Sequence, residues 1–328
     1  MAKPSIKDVA REAGVSVTTV SRVFNNRGYI GRETREKVEE ACGRLGYVRN
    51  ELARSLLRKQ TRIIGVVLPH ISHYFFAELA QKIEEHLVDA GYKMMLCTTL
   101  GEKEKERAAL EILAAQQVDG VIVGSHSLEA DAYTGHGLPM VAFDRYLGEG
   151  IPCVGADHAM GGRLATEALI GAGCTRLAHL RVSRRFKSPV HNRSDAFEQV
   201  CVQRGIPHVV LEKKLNEFTE DAMMELYGSI VEAMPEVDGF FVSDTEAATL
   251  LQILHACGKQ VPGQVQVVGY DGIALSRLTT PVLSTVAQPM DRIGFQLVRT
   301  LERVMAGEAP EQRLVLPVEW VQGGSTRS

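Results

Sequence analysis

The chain has 328 residues, of which 45% are hydrophobic and 23% charged, and a formal net charge of −3. This length and composition suffice for more than one buried core, which excludes disorder as the dominant state. No window approaches the roughly 18 consecutive apolar residues of a membrane span, and the first residues lack the apolar segment of a signal peptide. We therefore expect a cytoplasmic protein.

The cysteines are scattered, with neither C-x-x-C spacing nor the nearby histidine pair of a zinc site. We predict reduced, structurally buried thiols, no metal site and no cofactor. The residues concerned are Cys42, Cys97, Cys153, Cys174, Cys201 and Cys257.

Charge is distributed unevenly along the chain. Residues 1–62 carry 14 Lys and Arg against 7 Asp and Glu, whereas residues 63–328 carry 23 against 33. A basic N-terminal fifth followed by an acidic remainder is typical of a protein with a compact DNA-binding module. A polyanion such as DNA gains free energy from counterion release only where it binds the basic residues. A solvated basic surface is the alternative that charge alone leaves open.

The first predicted elements are two short helices joined by a tight turn. Ser5 stands three residues before Asp8 in a capping-box arrangement ahead of an apolar stripe, which predicts a helix start. Gly14 then supplies the left-handed conformation of a tight turn, and Ser16 is placed to cap a second helix from Val17 to about Phe24. The spacing is typical of a helix-turn-helix.

The second helix has an inward and an outward face. Val20 and Phe24 share the inward face. The residues left free to face outward are Val17, Thr18, Ser21 and Arg22. These outward side chains suit a DNA groove, because Arg donates to guanine in a bidentate manner and Thr or Val contacts a thymine methyl group.

A third helix is predicted from Glu33 to Leu45, with Gly31 at its N-cap and Gly46 at its end. The following stretch, 50–60, has helix-forming composition but spans only about two turns, so we expect it to order against DNA or a second copy.

From residue 62 short β-branched runs alternate with helical segments, which indicates parallel sheets with right-handed crossovers. Helices are predicted at 75–89 and 103–116. The predicted strands are 63–68, 94–97, 120–123, 140–143, 177–180, 209–211, 239–242 and 266–269.

Two successive strand series predict two doubly wound lobes, one of about 62–160 and 291–318 and the other of about 161–290 and 319–328. Ligands of such sheets bind beyond the carboxyl ends of the strands. Asp144, Ser243 and Asp271 follow strands in this way, so we expect them to face a cleft.

The motifs of both parts resemble one family, the lactose/galactose repressor (LacI/GalR) family of transcriptional regulators, over essentially the whole chain. The motifs that carry this resemblance are DVAREAGVSVTTVSRVFN (8–25), TREKVEEA (34–41), FDR (143–145), NRSDAF (192–197), VSDTEAA (242–248), VVGYDG (267–272) and AQP (287–289).

The resemblance implies an all-α helix-turn-helix headpiece, residues 1–49, followed by a hinge helix, 50–61. It further implies an α/β core of two doubly wound parallel-sheet lobes, 62–328, that is similar to periplasmic binding proteins. The implied function is repression of carbohydrate catabolic genes by a homodimer on palindromic operator DNA, under allosteric control by a sugar, sugar acid or sugar phosphate.

The resemblance also implies site residues. Hinge residues Ala53 and Leu56 would enter the minor groove, with Leu56 as a wedge. The implied headpiece contacts to DNA are Ser16, Val17, Thr18, Ser21, Arg22 and Asn25. The implied effector contacts are Phe75, Phe76, Asp144, Lys187, Arg193, Phe218, Ser243, Asp271 and Gln288.

Several alternatives remain open at this stage. The cation-rich stretch 181–187 favours an anionic effector if it lines the cleft, and is ordinary solvated loop charge if it does not. An effector that acts as a corepressor, and a sugar-binding protein without a DNA role, share the same core. The motifs G-x-S-x-G and H-E-x-x-H and a complete P-loop are absent from the sequence, so we predict no enzyme.

Overall fold

A computed structural model of the chain describes residues 4–25, 28–47, 60–125, 127–184, 187–213 and 220–327. Its contacts divide the chain into two units, residues 1–61 and 62–328. Most of the predicted hinge, including Ala53 and Leu56, lies outside the described residues.

Helices and strands follow one another along the described chain in a largely alternating order. They are α1 (Ile6–Ala13), α2 (Val17–Asn25), α3 (Arg32–Leu45), β1 (Ile63–Leu68), α4 (Tyr74–Asp89), β2 (Lys93–Thr98), α5 (Lys103–Ala115), β3 (Gly120–Val123), β4 (Met140–Phe143), β5 (Cys153–Ala156), α6 (His158–Gly171), β6 (Leu177–Val182), α7 (His191–Arg204), β7 (His208–Lys213), α8 (Glu220–Ala233), β8 (Gly239–Phe241), α9 (Asp244–Ala256), β9 (Gln266–Asp271), β10 (Ser284–Ala287), α10 (Met290–Met305), β11 (Arg313–Leu316) and β12 (Glu319–Val321).

The first unit contains the three predicted headpiece helices. Ser5 and Asp8 form the expected capping box, with the Ser5 hydroxyl 2.7 Å from the Asp8 carboxylate. Gly14 ends α1 in the left-handed conformation, at φ 67°, so that α2 begins three residues later. The helix-turn-helix therefore follows from local signals in the sequence.

The headpiece has a small core of its own. Val9, Val20 and Val38 are fully buried where the three helices meet, and the rings of Phe24 and Tyr47 are stacked with their centres 6.0 Å apart. Burying the Val20 side of α2 turns the opposite side of that helix toward solvent.

Two six-stranded sheets form the second unit within the described residues. The first has the order β11-β5-β4-β3-β1-β2 and is parallel throughout; with α4, α5 and α10 it makes the N-lobe. The second has the order β12-β10-β9-β8-β6-β7 and, with α6 to α9, makes the C-lobe. Its pairings are parallel, as predicted, except that the edge strand β12 pairs antiparallel with β10.

The chain passes between the lobes three times. Because α6 packs on strands of the second sheet, the first passage lies at Asp157. The second lies between β10 and α10, and the third at 317–318, between β11 and β12. Three passages place the two sheets side by side, with the carboxyl ends of their strands available to one ligand.

Candidate recognition helix and effector cleft

Helix α2 presents the predicted DNA contacts on its solvent side. Val17, Thr18 and Arg22 are exposed and Ser21 is half-buried. The ion pairs within the described headpiece involve α1 and α3, for example Arg44 with Glu12 at 3.3 Å, and none includes Arg22. The Arg22 guanidinium is thus available to a ligand.

Two of the predicted DNA contacts also have structural roles within the helix. Ser16 Oγ accepts a hydrogen bond from the backbone N–H of Thr19 at 3.0 Å, which makes Ser16 the N-cap of α2. The Asn25 side chain donates to the backbone oxygen of Ser21 at 2.9 Å. Ala53 and Leu56, the two predicted minor-groove contacts, lie outside the described residues.

The cleft residues that follow strands adopt unusual backbone conformations. Asp144, after β4, has φ 49°, and Asp271, at the end of β9, has φ 123°. Both are buried, at 3% and 6% exposure. Residues other than glycine keep positive φ values only where their surroundings enforce them, which occurs most often at ligand sites.

A pocket that is lined by both polar and apolar side chains and is partly open to solvent lies at the carboxyl ends of β6 and β8 in the C-lobe. Arg193, at the start of α7, lines it and places its guanidinium 4.2 Å from the centre of the Tyr270 ring. The floor is fixed by His179, whose ring nitrogens lie 2.8 Å from the Phe241 oxygen and 2.8 Å from Ser194 Oγ.

Ser243 also lines this pocket, but its hydroxyl is already engaged. It donates to the Glu246 carboxylate at 2.6 Å, and the two residues form the capping box of α9. The S-D-T-E spacing in the sequence carries this capping signal. Ser243 can therefore offer a ligand its lone pairs rather than its proton.

Asp271 and Gln288 are hydrogen-bonded to each other. Gln288 donates from Nε2 to Asp271 Oδ1 at 2.8 Å, while Gln288 Oε1 is buried without a hydrogen-bond partner among the described residues. Asp244 lies behind this pair and accepts from Thr285 Oγ1 at 2.6 Å and from the Ile273 N–H at 2.9 Å. Burial, followed by the nearby charge of Asp271, raises the pKa of Asp244 well above its usual range.

The Asp244 environment predicts a pH dependence of stability. A carboxyl group whose pKa is raised on folding contributes stability below its ordinary pKa of 3.8, and that contribution is lost as the pH rises toward the folded value. Asp244→Asn should remove this dependence, so wild type should lose stability relative to the variant above pH 4, by up to about 1.4 kcal/mol per pH unit. Urea unfolding from pH 4 to 7.5 measures this, and parallel curves would contradict it.

The predicted aromatic and basic contacts differ in accessibility. Phe75 is 7% exposed and belongs to the N-lobe core, where it stacks on Phe143 at 5.8 Å, whereas Phe76 is only partly buried. Lys187 is exposed. Phe218 lies outside the described residues. We therefore keep Phe76 as the better-placed stacking surface for a ligand.

Most of the described cations of the 181–187 stretch are paired with carboxylates. Arg181, which lines the pocket, lies 3.4 Å from both Glu198 and Glu212, and Arg184 pairs with Asp195. These pairs neutralise much of the positive charge that the sequence places beside the cleft.

A buried network that the sequence pattern did not indicate anchors the strand end carrying Asp144. Arg145, 2% exposed, donates to the Ser125 backbone oxygen at 3.2 Å and to the Tyr133 hydroxyl at 3.1 Å. The fully buried Glu106 accepts from Ser125 Oγ at 2.8 Å and from the Tyr133 hydroxyl. Buried charges satisfied in this way hold a segment in one conformation.

His158 and Tyr270 are further cleft residues that sequence reasoning missed. His158 Nδ1 lies 2.9 Å from the Tyr270 hydroxyl, and its Nε2 lies 3.0 Å from Asp144 Oδ2. All three side chains are buried. No local motif announces these contacts, since their partners lie far apart in the sequence.

Gly162 allows α6 to approach α7 at the residue that carries the pocket arginine. A Cβ there would overlap the backbone oxygen of Arg193, which cannot move without shifting the helix. Gly162→Ala should therefore lower the unfolding free energy by roughly 1–3 kcal/mol and weaken ligand binding through Arg193. Urea unfolding measures the first effect.

Gly171→Ala, in the same helix, is the matched control. A Cβ at Gly171 meets nothing within 4 Å, so helix propensity alone should raise the stability by up to about 1 kcal/mol. Equal destabilisation by both substitutions would contradict the close-approach explanation.

Membrane-spanning helices and metal sites were sought among the described residues. Among them, no helix is both long and apolar enough to cross a membrane. Within the same part of the chain, no group of three or more His, Cys, Asp or Glu side chains is arranged to hold a metal ion.

Comparison with known proteins identifies the family. Residues 5–50 match the bacterial regulatory proteins of the lacI family, and residues 166–326 match the periplasmic binding protein-like domain. The sucrose operon repressor of Pediococcus pentosaceus is 42% identical over 326 residues, which cover 98% of this chain and 99% of that protein. The chain belongs to the LacI family. The predicted resemblance is thereby confirmed.

Further relatives of this LacI-family chain agree with the assignment. The ribose operon repressor of Halalkalibacterium halodurans is 39% identical over 90% of this chain and 89% of that protein. A crystal structure of the lac repressor dimer bound to operator and the anti-inducer ONPF superposes with a TM-score of 0.86, covers 100% of both chains and shares 24% identity. That structure supports the fold: a helix-turn-helix headpiece and a two-lobed core, as the sequence predicts.

Proposed function

We propose that this LacI-family regulator is a cytoplasmic, homodimeric repressor of a carbohydrate operon, which binds a palindromic operator and releases it when a small sugar occupies the cleft. The observation that carries this proposal is the presence, in one chain, of a helix with an exposed Arg22 and of a core with an arginine-lined pocket at its strand ends. Its relatives include repressors of sucrose and ribose operons.

The DNA side of the proposal rests on α2. Its outward Val17, Thr18 and Arg22 offer apolar, hydroxyl and bidentate cationic contacts to base edges. Ser16, Ser21 and Asn25 would support the helix and contact phosphates. The division of the chain into a headpiece of residues 1–49, a hinge of 50–61 with Ala53 and Leu56 in the minor groove, and an effector core of 62–328 belongs to the same proposal.

The effector side favours a neutral polyol over an anion. Arg181 and Arg184 are paired with carboxylates, so the stretch that suggested an anionic ligand has little uncompensated charge to offer. Asp271 and Gln288 present buried acceptors, which suit hydroxyl donors. Arg193 donates to ring or hydroxyl oxygens, and Asp144 and Phe76 complete the set.

Calorimetric titration of the full chain tests the effector class. Sucrose and D-ribose represent neutral sugars, while gluconate and glucose 6-phosphate represent sugar acids and sugar phosphates. We expect saturable binding by a neutral sugar and none by the anions. Binding by an anion alone would overturn the neutral-effector assignment, and tighter operator binding with sugar would make the effector a corepressor.

A regulator rather than an enzyme is proposed, because the chain is 42% and 39% identical to proteins that are operon repressors. Incubation of the chain with the sugar that it binds should return that sugar unchanged. Turnover of the sugar would contradict this part of the proposal.

A further inference from the structure

Asp144, His158 and Tyr270 form a continuous set of buried contacts that crosses from one lobe to the other, which we call the interlobe chain. Asp144 follows β4 of the N-lobe, whereas His158 begins α6 and Tyr270 lies on β9, both in the C-lobe. The exposed fractions of the Asp144 and His158 side chains are 4% and 1%, and Tyr270 is fully buried. Water therefore does not screen these contacts.

The two C-lobe members move as one body. The Tyr270 hydroxyl and His158 Nδ1 are 2.9 Å apart, and the two rings are stacked at 5.6 Å. Gly161 lets α6 approach the Tyr270 ring closely, since a Cβ there would overlap it. The guanidinium of Arg193, a pocket-lining residue, lies over the Tyr270 ring at 4.2 Å from its centre, so a ligand that contacts Arg193 is one residue away from this end of the interlobe chain.

The contact across the lobe boundary is close but unaligned. His158 Nε2 lies 3.0 Å from Asp144 Oδ2, yet Nε2 has no hydrogen-bond partner with acceptable geometry among the described residues, and neither has Asp144 Oδ1. Buried polar groups left without partners are costly. A small rotation of the lobes that aligns the Nε2–H with the carboxylate is therefore favourable.

Chemistry fixes the direction of the hydrogen bonds in the interlobe chain. Once the His158–Asp144 hydrogen bond is completed, the carboxylate can only accept, so a neutral His158 then carries its proton on Nε2 and accepts at Nδ1. Tyr270 must then be the donor to Nδ1. Burial raises the pKa of Tyr270, which keeps that hydroxyl protonated and able to donate.

We propose that His158 is a positioning residue which converts occupancy of the C-lobe pocket into a fixed orientation of the N-lobe. The close His158–Asp144 contact already restricts the orientation of the lobes, and a ligand at Arg193, acting through Tyr270 on His158, restricts it further by completing the His158–Asp144 hydrogen bond. The inference rests on the proposed function for the ligand class alone, because the contacts of the interlobe chain are made by this chain's own residues.

Tyr270→Phe is the decisive variant, since it removes one hydroxyl and keeps the ring under Arg193. Tyr227→Phe is the control for the distance measured without ligand: its hydroxyl is equally buried in the C-lobe and lies near Glu246, outside the interlobe chain. Spin labels at the exposed Cys257 and at Ile112→Cys on α5 report the interlobe distance. Cys42 and Cys97 are replaced by Ser.

The remaining thiols should stay unlabelled, because burial raises their pKa and suppresses the reactive thiolate. The values are about 12 for Cys153, about 12 for Cys174 and about 11 for Cys201. Labelled full-length chain, diluted with unlabelled chain, is measured by pulsed electron resonance without ligand and then with sucrose or D-ribose.

Tyr270→Phe should broaden the ligand-free distance distribution, whereas Tyr227→Phe should reproduce that of the wild type. A sugar that binds should change the operator affinity of the wild type by roughly 5–150-fold. In Tyr270→Phe this factor should fall toward one. A Tyr270→Phe distribution that overlays the wild type overturns the proposal. Broadening without binding of either sugar supports the interlobe chain and counts against the proposed effector class.

Discussion

Arg22→Ala is expected to abolish discrimination between operator and random DNA while sugar binding stays intact. The exposed guanidinium is placed on the outward face of α2, and a bidentate contact to guanine contributes about 1–3 kcal/mol of discrimination in each half-site. Over the two half-sites of a dimer this is about 2–6 kcal/mol, or roughly 30-fold to 10⁴-fold. Fluorescence anisotropy with specific and scrambled duplexes measures the ratio.

Arg22→Lys is the matched control for charge. Lysine keeps the positive charge but lacks the planar fork, so this variant should recover nonspecific affinity without recovering discrimination. Calorimetry on Arg22→Ala should give the wild-type affinity for sugar. Equal loss of DNA and sugar binding would show that the substitution damages the whole protein and would contradict separate modules.

Asp271→Ala is expected to leave operator binding intact and to remove its response to sugar. The buried carboxylate sits at the end of β9 and is held by Gln288, so it is poised to accept hydrogen bonds from ligand hydroxyls. Hydrogen bonds to a charged group contribute about 1.5–3 kcal/mol each, and the loss of two should weaken sugar binding by roughly 100-fold or more. Operator titrations with and without saturating sugar measure the response.

Asp271→Asn separates charge from shape at this position. Asparagine tolerates positive φ and retains one acceptor oxygen, so an intermediate loss of sugar affinity is expected. A full sugar response in Asp271→Ala would remove Asp271 from the effector site. Loss of operator binding in that variant would instead indicate a defect that reaches the headpiece.

Local signals made the headpiece predictable. The Ser5–Asp8 capping box, Gly14 and the Ser16 cap each act within four residues, so the helix bounds predicted from sequence agree with the structure to one residue. The strands predicted in the first lobe were equally recognisable in the sequence, because parallel strands buried on both faces have near-continuous apolar sequences. The sequence IIGVVL in β1 is an example.

Four strands escaped prediction because they are short and are defined by distant partners. Strand β11 (Arg313–Leu316) pairs with β5 (Cys153–Ala156), more than 150 residues earlier, and both have only four residues. Strands β10 and β12 pair with each other at the edge of the second sheet. No local pattern specifies such pairing.

The same distinction applies to the cleft. Asp144, Ser243 and Asp271 were predicted to face the cleft because the rule for strand ends places functional groups there. His158 and Tyr270 are 112 positions apart and meet only in the folded protein. Phe75 was predicted to contact the ligand because the family resemblance implies it. Its place in the N-lobe core depends on packing against Phe143, which the sequence does not encode locally.

The central claim is that one chain couples a DNA-binding headpiece to a sugar-sensing core. The full-length chain is first used to select symmetric duplexes from a random pool. Fluorescence anisotropy then measures binding of these duplexes across a salt series, with and without sucrose or D-ribose. The account predicts preferential binding whose log affinity falls linearly with log salt and changes when the sugar binds. An absence of salt-sensitive preference for any symmetric duplex, under either condition, would contradict it.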